Sequence, residues 1–167
     1  MTPPTHPNIA VCPGSYDPIT FGHLDVITRA SAIFDEVIVA VVNLSTRKSK
    51  PVFDIDERLG FINDATAGLD NVRAEPFNIL VVDFARKVGA RTIVKGLRAS
   101  SDFEYELEMN QLNRSQAPDV DTLYLMASPE YSFIRSSGVK ELATFGGDIS
   151  DYVPEAVAPL LKERLQR

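Results

Sequence analysis

Tryptophan is absent, cysteine occurs once and histidine twice in the 167-residue chain. A lone cysteine makes no internal disulfide, so a disulfide scaffold is excluded and a reducing cytoplasm is the expected setting. Cys12 closes an apolar run and reads as a small core residue. Long hydrophobic runs are also missing, which excludes a membrane-spanning helix. The opening "MTPPTHPN" is polar and proline-rich, unlike a signal peptide, and residues 1–7 are expected to be a flexible lead. Basic charge is scarce: 17 Lys and Arg stand against 23 Asp and Glu, for a net charge of −6. That balance disfavours a general nucleic-acid binder. Local basic points remain, "RKSK" at 47–50 and Lys95 and Arg98 around a glycine, and these suit a small phosphorylated ligand.

What is present fits one domain with a sizeable core, since 44% of residues are apolar. Strand-like runs at 9–12, 37–42, 72–75, 92–95 and 122–127 are mostly apolar on both faces, as strands between helical layers are. Helical periods lie between them at 22–34, 55–69, 78–88, 101–115 and 133–143, with a last helix after Pro154. Asp54-x-x-Glu57 and Ser101-x-x-Glu104 read as capping boxes, and Gly89 as a helix stop. The alternation predicts an α/β fold, a Rossmann-like, doubly wound, five-stranded parallel sheet with helices on both faces. Ligands of such sheets bind beyond the carboxyl ends of the strands, at the switch point of strand order. The segments leaving the first, fourth and fifth strands, "PGSYDPITFGH", "KGLR" and "SPEYSFIRSS", are expected to converge there.

In "PGSYDPITFGH", Pro13 and Gly14 turn the chain, and a helix begins near Gly22 with His23 in its first turn. A helix N-terminus beside a small hydroxyl and an imidazole favours a phosphate. Taken alone, the stretch equally suits an ordinary strand-to-helix turn with a surface histidine. It matches neither a dinucleotide-binding nor a P-loop fingerprint.

The stretch resembles the T/H-x-G-H motif of the nucleotidyltransferase superfamily, and more narrowly that of bacterial phosphopantetheine adenylyltransferases, with Tyr16 for the usual Phe. The resemblance continues in "KGLRASSDFEYELEMNQLNR" (95–114) and "YSFIRSSGVKELATFGGDISDYVPE" (131–155), colinear from residue 8 onward. Thr20 discriminates, because relatives that adenylate nicotinate mononucleotide usually carry His there. The resemblance implies adenylyl transfer from ATP to 4′-phosphopantetheine, giving 3′-dephospho-coenzyme A and pyrophosphate, with Mg²⁺. It further implies a homohexamer and feedback inhibition by coenzyme A. The attacking phosphate is already an anion, so no protein nucleophile is required, and the sequence offers no Cys–His pair. Catalysis then rests on positioning and charge stabilisation.

The resemblance also implies residue roles. His23 contacts ATP phosphate and stabilises the transition state, and Ser15 orients the pantetheine phosphate and contacts ATP. Tyr16 adds a backbone contact to ATP. Gly96, Leu97 and Arg98 bind ATP, with Arg98 on phosphate, and Glu106 lies near its ribose or base. Tyr131, Ser132, Phe133, Ile134, Arg135, Ser136 and Ser137 wrap the nucleotide. Arg135 stands where serine is frequent, directed either to triphosphate or to solvent. Lys95 and the backbone of Val81 serve the pantetheine side. A basic residue of loop 45–51 holds phosphate; among Arg47, Lys48 and Lys50, the latter two are favoured. Another nucleotidyltransferase, using CTP for example, and a non-catalytic nucleotide-binding scaffold are the competing readings. Metal ligands are not legible.

Overall fold

The computed structural model describes residues 7–43 and 50–166. The proline-rich lead, apart from Pro7, lies outside the described residues. The strands are β1 (Ile9–Gly14), β2 (Glu36–Val42), β3 (Val72–Phe77), β4 (Thr92–Leu97) and β5 (Asp121–Met126). The helices are α1 (Phe21–Ser31), α2 (Ile55–Ala65), α3 (Val81–Lys87), α4 (Ser100–Gln116), α5 (Ser136–Thr144) and α6 (Val157–Leu165). All strand pairs are parallel and the order is β3-β2-β1-β4-β5. The chain thus winds outward from β1 to β3, then crosses back to lay β4 on the free side of β1. That reversal between β1 and β4 is the switch point.

Successive side chains of the central strands feed two cores. Ala10 and Cys12 of β1, with Val37, Val39 and Val41 of β2, join Ile27, Phe34, Phe61, Ile62 and Leu161 on one face. Val11, Ile38 and Ala40 point the other way and meet Phe84, Ile93 and Val120. A strand covered on both sides has no polar face, which is why these runs lack the alternation of a half-exposed sheet. Among the described residues no helix is long and apolar enough to cross a membrane.

Local signals set most boundaries. Asp54 accepts from Glu57 N at 2.9 Å while Glu57 accepts from Asp54 N at 3.0 Å, a complete capping box opening α2. Gly89 takes φ 77° just past α3, a conformation glycine adopts without steric penalty. Pro159 fits the first turn of α6, where its missing N–H has no helical acceptor to lose.

Five expectations are corrected. Helix α1 stops at Ser31 rather than 34, where Ile33 N turns onto the Ala30 carbonyl at 2.9 Å and Asn71 donates to the Ser31 and Phe34 carbonyls. The N-cap of α4 is Ala99, not Ser101, and no side chain caps it; the Asp102 carboxylate accepts the Arg98 N–H instead, at 3.2 Å. Helix α3 starts at Val81 rather than 78, because β3 runs on to Phe77, whose carbonyl accepts from Asn43 N at 2.7 Å. Helix α5 starts at Ser136 rather than 133, because turns closed by Tyr131 N–Ser128 O and Ile134 N–Tyr131 O occupy the preceding residues. Helix α2 stops at Ala65 rather than 69; Thr66 follows it and turns its hydroxyl back onto the Ile62 carbonyl at 2.7 Å.

Candidate active site

At the switch point a crevice of about 180 Å³ opens beyond the carboxyl ends of β1 and β4. Its walls include Tyr16 and His23 from the β1–α1 connection, Lys95, Gly96 and Arg98 from the end of β4, and Glu106 from α4. Tyr131 and Ile134 close it from the segment after β5. All three loops expected to converge do so.

His23 is held by the start of its own helix. Thr20 is the N-cap of α1, and its Oγ1 accepts from His23 N at 3.4 Å. The imidazole reaches back, so that Nδ1 accepts from the Thr20 backbone N–H at 3.0 Å. An N–H can only donate, so Nδ1 carries no proton and the neutral ring keeps its proton on Nε2. Burial, aided by the positive charge of Arg98, pulls the His23 pKa down to about 4. At neutral pH the group is therefore an oriented, uncharged N–H donor. No acidic residue lies in the first turn of α1, so nothing there offsets the positive end of the helix dipole.

Tyr16 braces this arrangement from below. It is 4% exposed, its hydroxyl donates to the Cys12 carbonyl at 2.8 Å, and its ring meets the His23 ring edge-on at 4.9 Å. The hydroxyl that replaces the usual Phe hydrogen thus has a buried acceptor. Burial raises the Cys12 thiol to about 12, which removes it as a nucleophile.

The two cations are both restrained. Lys95 Nζ lies 2.7 and 2.8 Å from the carboxylate oxygens of Glu106. Arg98 pairs with Asp102 at 3.1 Å and donates to the Ile134 carbonyl at 3.1 Å, tying β4 to the loop after β5. Burial opposes the Asp102 charge, but the hydrogen bonds and charge of Arg98, with help from Arg135, hold its pKa below the ordinary value.

Three further side chains position the loops, and none was singled out from the sequence. Asp17, 6% exposed, accepts from the N–H groups of Val52 and Phe53 at 3.0 Å each and pairs with Lys140 at 3.3 Å. Arg58, 4% exposed, donates to the Ser15 carbonyl at 2.8 Å. Asp25 accepts from Ser128 Oγ at 2.9 Å and from Arg29 at 3.2 Å, clamping the loop after β5 to α1. Asp17 lies within the quoted motif without being picked out of it, Asp25 reads as an ordinary helix charge, and Arg58 is buried beside Phe61 and Ile62, where an arginine is expected to face solvent.

Of the other expected residues, Ser15 is half-buried between Pro13 and Tyr16 but is not itself part of the crevice lining, while Leu97 turns a largely buried side chain into the protein. Ser136 and Ser137 occupy the first turn of α5 without capping it, and Ser136 Oγ donates to the Pro18 carbonyl at 2.9 Å. Ser132 bonds the Pro129 carbonyl at 3.0 Å, and Phe133, Arg135 and Ser137 are exposed. Val81 is half-buried at the start of α3 and packs on the opposite core, away from the crevice lining. Lys50 is exposed; Arg47 and Lys48 lie outside the described residues.

A cytidylyltransferase-like family model matches residues 11–142. A phosphopantetheine adenylyltransferase from Heliobacterium modesticaldum is 52% identical over 156 residues, covering 93% of this chain and 92% of that one. The chain belongs to the phosphopantetheine adenylyltransferase family. Its fold is shared more widely. A crystal structure from Vibrio parahaemolyticus, provisionally described as a nicotinate-nucleotide adenylyltransferase, aligns with TM-score 0.71 at 20% identity, over 97% of this chain and 98% of that one. A lipopolysaccharide core biosynthesis protein from Thermoplasma volcanium aligns with TM-score 0.54 at 21% identity, over 74% of this chain and 98% of the other. Family membership and the common fold agree on one nucleotidyltransferase architecture, with the crevice at its switch point.

Proposed function

We propose that this protein transfers the adenylyl group of ATP to 4′-phosphopantetheine, giving 3′-dephospho-coenzyme A and pyrophosphate. The observation that carries the reading is the Nε2–H of a neutral His23 set among Lys95, Arg98 and the N-terminus of α1 in one crevice. An oxygen of the pantetheine phosphate attacks the α-phosphorus of ATP. As that P–O bond forms, the bond to the bridging α–β oxygen breaks, and its electron pair leaves with pyrophosphate. Charge spreads over the phosphoryl oxygens, where an oriented N–H and two cations stabilise it more than they stabilise the ground state. No proton transfer is needed, which suits a histidine too acidic to serve as a base at neutral pH.

In this reading His23 and Arg98 address ATP phosphates and Ser15 orients the pantetheine phosphate. The Tyr16 N–H, Gly96, Leu97, Glu106 and the 131–137 segment hold ATP. Lys95, the backbone of Val81 and a lysine of the basic loop hold phosphopantetheine. To engage a phosphate, Lys95 exchanges its Glu106 partner for the incoming oxyanion. Among the described residues no group of three or more His, Cys, Asp or Glu is placed to hold a metal. Mg²⁺ is proposed as an ion carried on the phosphates of ATP, since it binds through substrate phosphates and waters more readily than in an all-protein cage.

We also propose a cytoplasmic homohexamer inhibited by coenzyme A. Exposed Phe103, Leu107 and Leu112 on α4, with Leu123 and Met126 on the edge strand β5, support self-association. Pyrophosphate release tests the activity. It is expected with ATP plus phosphopantetheine, and not with CTP or with nicotinate mononucleotide as acceptor. His23→Ala is expected to lower turnover about 10²–10³-fold with the fold retained. Near-parental turnover would remove His23 from the mechanism.

A further inference from the structure

Buried Arg58 bonds carbonyls from three separate segments of the chain. Nη1 donates to Ser15 O at 2.8 Å and Val42 O at 3.0 Å, and Nε to Asp54 O at 3.2 Å. Those carbonyls belong to the β1–α1 turn, the end of β2 and the cap of α2. A planar guanidinium can hold several acceptors in fixed directions at once, which an ammonium cannot.

The Ser15 carbonyl matters most, because of the peptide it belongs to. The Ser15–Tyr16 bond is trans, the cis bond of this turn being Asp17–Pro18. A trans peptide is planar with C=O and N–H opposed, so fixing the Ser15 oxygen fixes the direction of the Tyr16 N–H. A cation on the oxygen also polarises the group and strengthens that N–H as a donor. A second observation is independent of this one. Tyr16 has φ 48°, in the left-handed region, which a bulky residue adopts only where its surroundings enforce it. The surroundings do so from both ends: Tyr16 Oη is anchored on Cys12 O, and the following Asp17 is anchored on Val52 and Phe53.

We propose that Arg58 is a positioning residue of this site. It presets the Ser15–Tyr16 peptide so that the Tyr16 N–H and the Ser15 hydroxyl meet the polyphosphate without rearrangement. The proposal rests on the adenylyl-transfer reading for its effect on rate, but not for its effect on the turn.

The test compares Arg58→Lys with Ile62→Ala, which removes a fully buried apolar side chain from the same helix and takes away no hydrogen bond to the Ser15 carbonyl. Both are assayed well below their melting temperatures. Arg58→Lys is expected to lose about 10–100-fold in kcat/KM for ATP, the scale of a small misplacement of reacting groups. Ile62→Ala is expected to keep the parental value despite its lower melting temperature. In the unliganded proteins the Tyr16 amide resonance is expected to move in Arg58→Lys and to stay in Ile62→Ala. Parental kcat/KM in Arg58→Lys, an equal loss in Ile62→Ala, or an unmoved Tyr16 amide would each overturn the proposal. The parent protein supplies a check that needs no variant to fold: the HN–Hα coupling of Tyr16, which reports φ, should be the same with and without a non-hydrolysable ATP analogue. A change on binding would mean that the turn is not preset. Absence of pyrophosphate release by the parent would sink the adenylyl-transfer reading alone, and the Tyr16 amide would still judge Arg58.

Discussion

Gly96 lies where β4 passes under α1, and a Cβ built on it would stand 2.8 Å from Val26 Cγ2. Carbon atoms pack best at about 3.5–4.0 Å, so Gly96→Ala asks for roughly 1 Å of extra room. Val26 cannot swing aside cheaply, because a β-branched residue in a helix has one strongly preferred rotamer. Relief must come from moving α1 off the sheet, yet α1 is pinned at its first residue by Phe21 N–Tyr152 O at 2.9 Å. Overpacking of this kind costs about 1–3 kcal/mol, partly offset by about 0.5–1 kcal/mol from the stiffer unfolded chain. A net loss of about 1–2 kcal/mol lowers the melting temperature by roughly 2–8 °C in a chain of this size. Activity should suffer more than stability. Helix α1 carries His23 and β4 carries Lys95, so a small separation of the two elements pulls the charge-stabilising groups apart, at a cost of about 10–100-fold in turnover. Thermal unfolding followed by circular dichroism gives the first quantity and pyrophosphate release the second. Adding Val26→Ala removes the colliding methyl and should restore most of the lost turnover, with a coupling of about 1 kcal/mol or more in the double-mutant cycle. Parental melting and turnover in Gly96→Ala, or no recovery in the double variant, would refute the steric argument.

Other expectations bear on charge. His23 has a folded-state pKa of about 4 against an ordinary 6.5, so the unfolded chain takes the proton first as pH falls. Its contribution is intact above pH 6.5 and is lost between 6.5 and 4, by up to about 3 kcal/mol. Urea titrations of the parent and His23→Gln should diverge over that window, and parallel curves would contradict the assignment. Lys95→Ala should chiefly raise the KM for phosphopantetheine, and an unchanged KM would count against its placement on that side. Because Lys95→Ala also strands the half-buried Glu106 carboxylate, adding Glu106→Gln should recover stability in denaturant melts without recovering that KM. Asp17→Asn presents an amide where two backbone N–H groups and Lys140 need a carboxylate, and should cost about 2 kcal/mol in a urea melt. A loss of only about a few tenths of a kcal/mol would show the anchor to be dispensable.

The five strands and the helices between them were legible because each is carried by neighbours in sequence: double-sided apolar runs, 3.6-residue periods, and an Asp54–Glu57 box that forms as read. Errors fell at helix ends, some set by a partner one turn away and others by a partner across the fold. Ser101 resembled a cap until Asp102 was taken up by Arg98, and residues 133–135 had helical spacing but were drawn into the turns that meet Arg98 through the Ile134 carbonyl. The candidate site was legible as a set of motifs, and the structure gathers most of them at one crevice. The exceptions are informative. The Val81 side chain packs on the other core, which leaves only its backbone for a ligand, and Ser136 secures the β1–α1 turn through the Pro18 carbonyl.

By itself, the sequence determined the element order, the burial of the central strands and the chemistry available to the loops, since each depends on residue type and short-range spacing. Only the tertiary structure decided that β4 lies against β1 and not at an edge, which is what brings Lys95 and Arg98 across from His23. It likewise decided that Lys95 rests on Glu106, that His23 is an uncharged donor, and that Arg58 holds the Ser15 carbonyl from 43 residues away. These are properties of which groups lose water together and which donor meets which acceptor, and no stretch of neighbouring residues contains them.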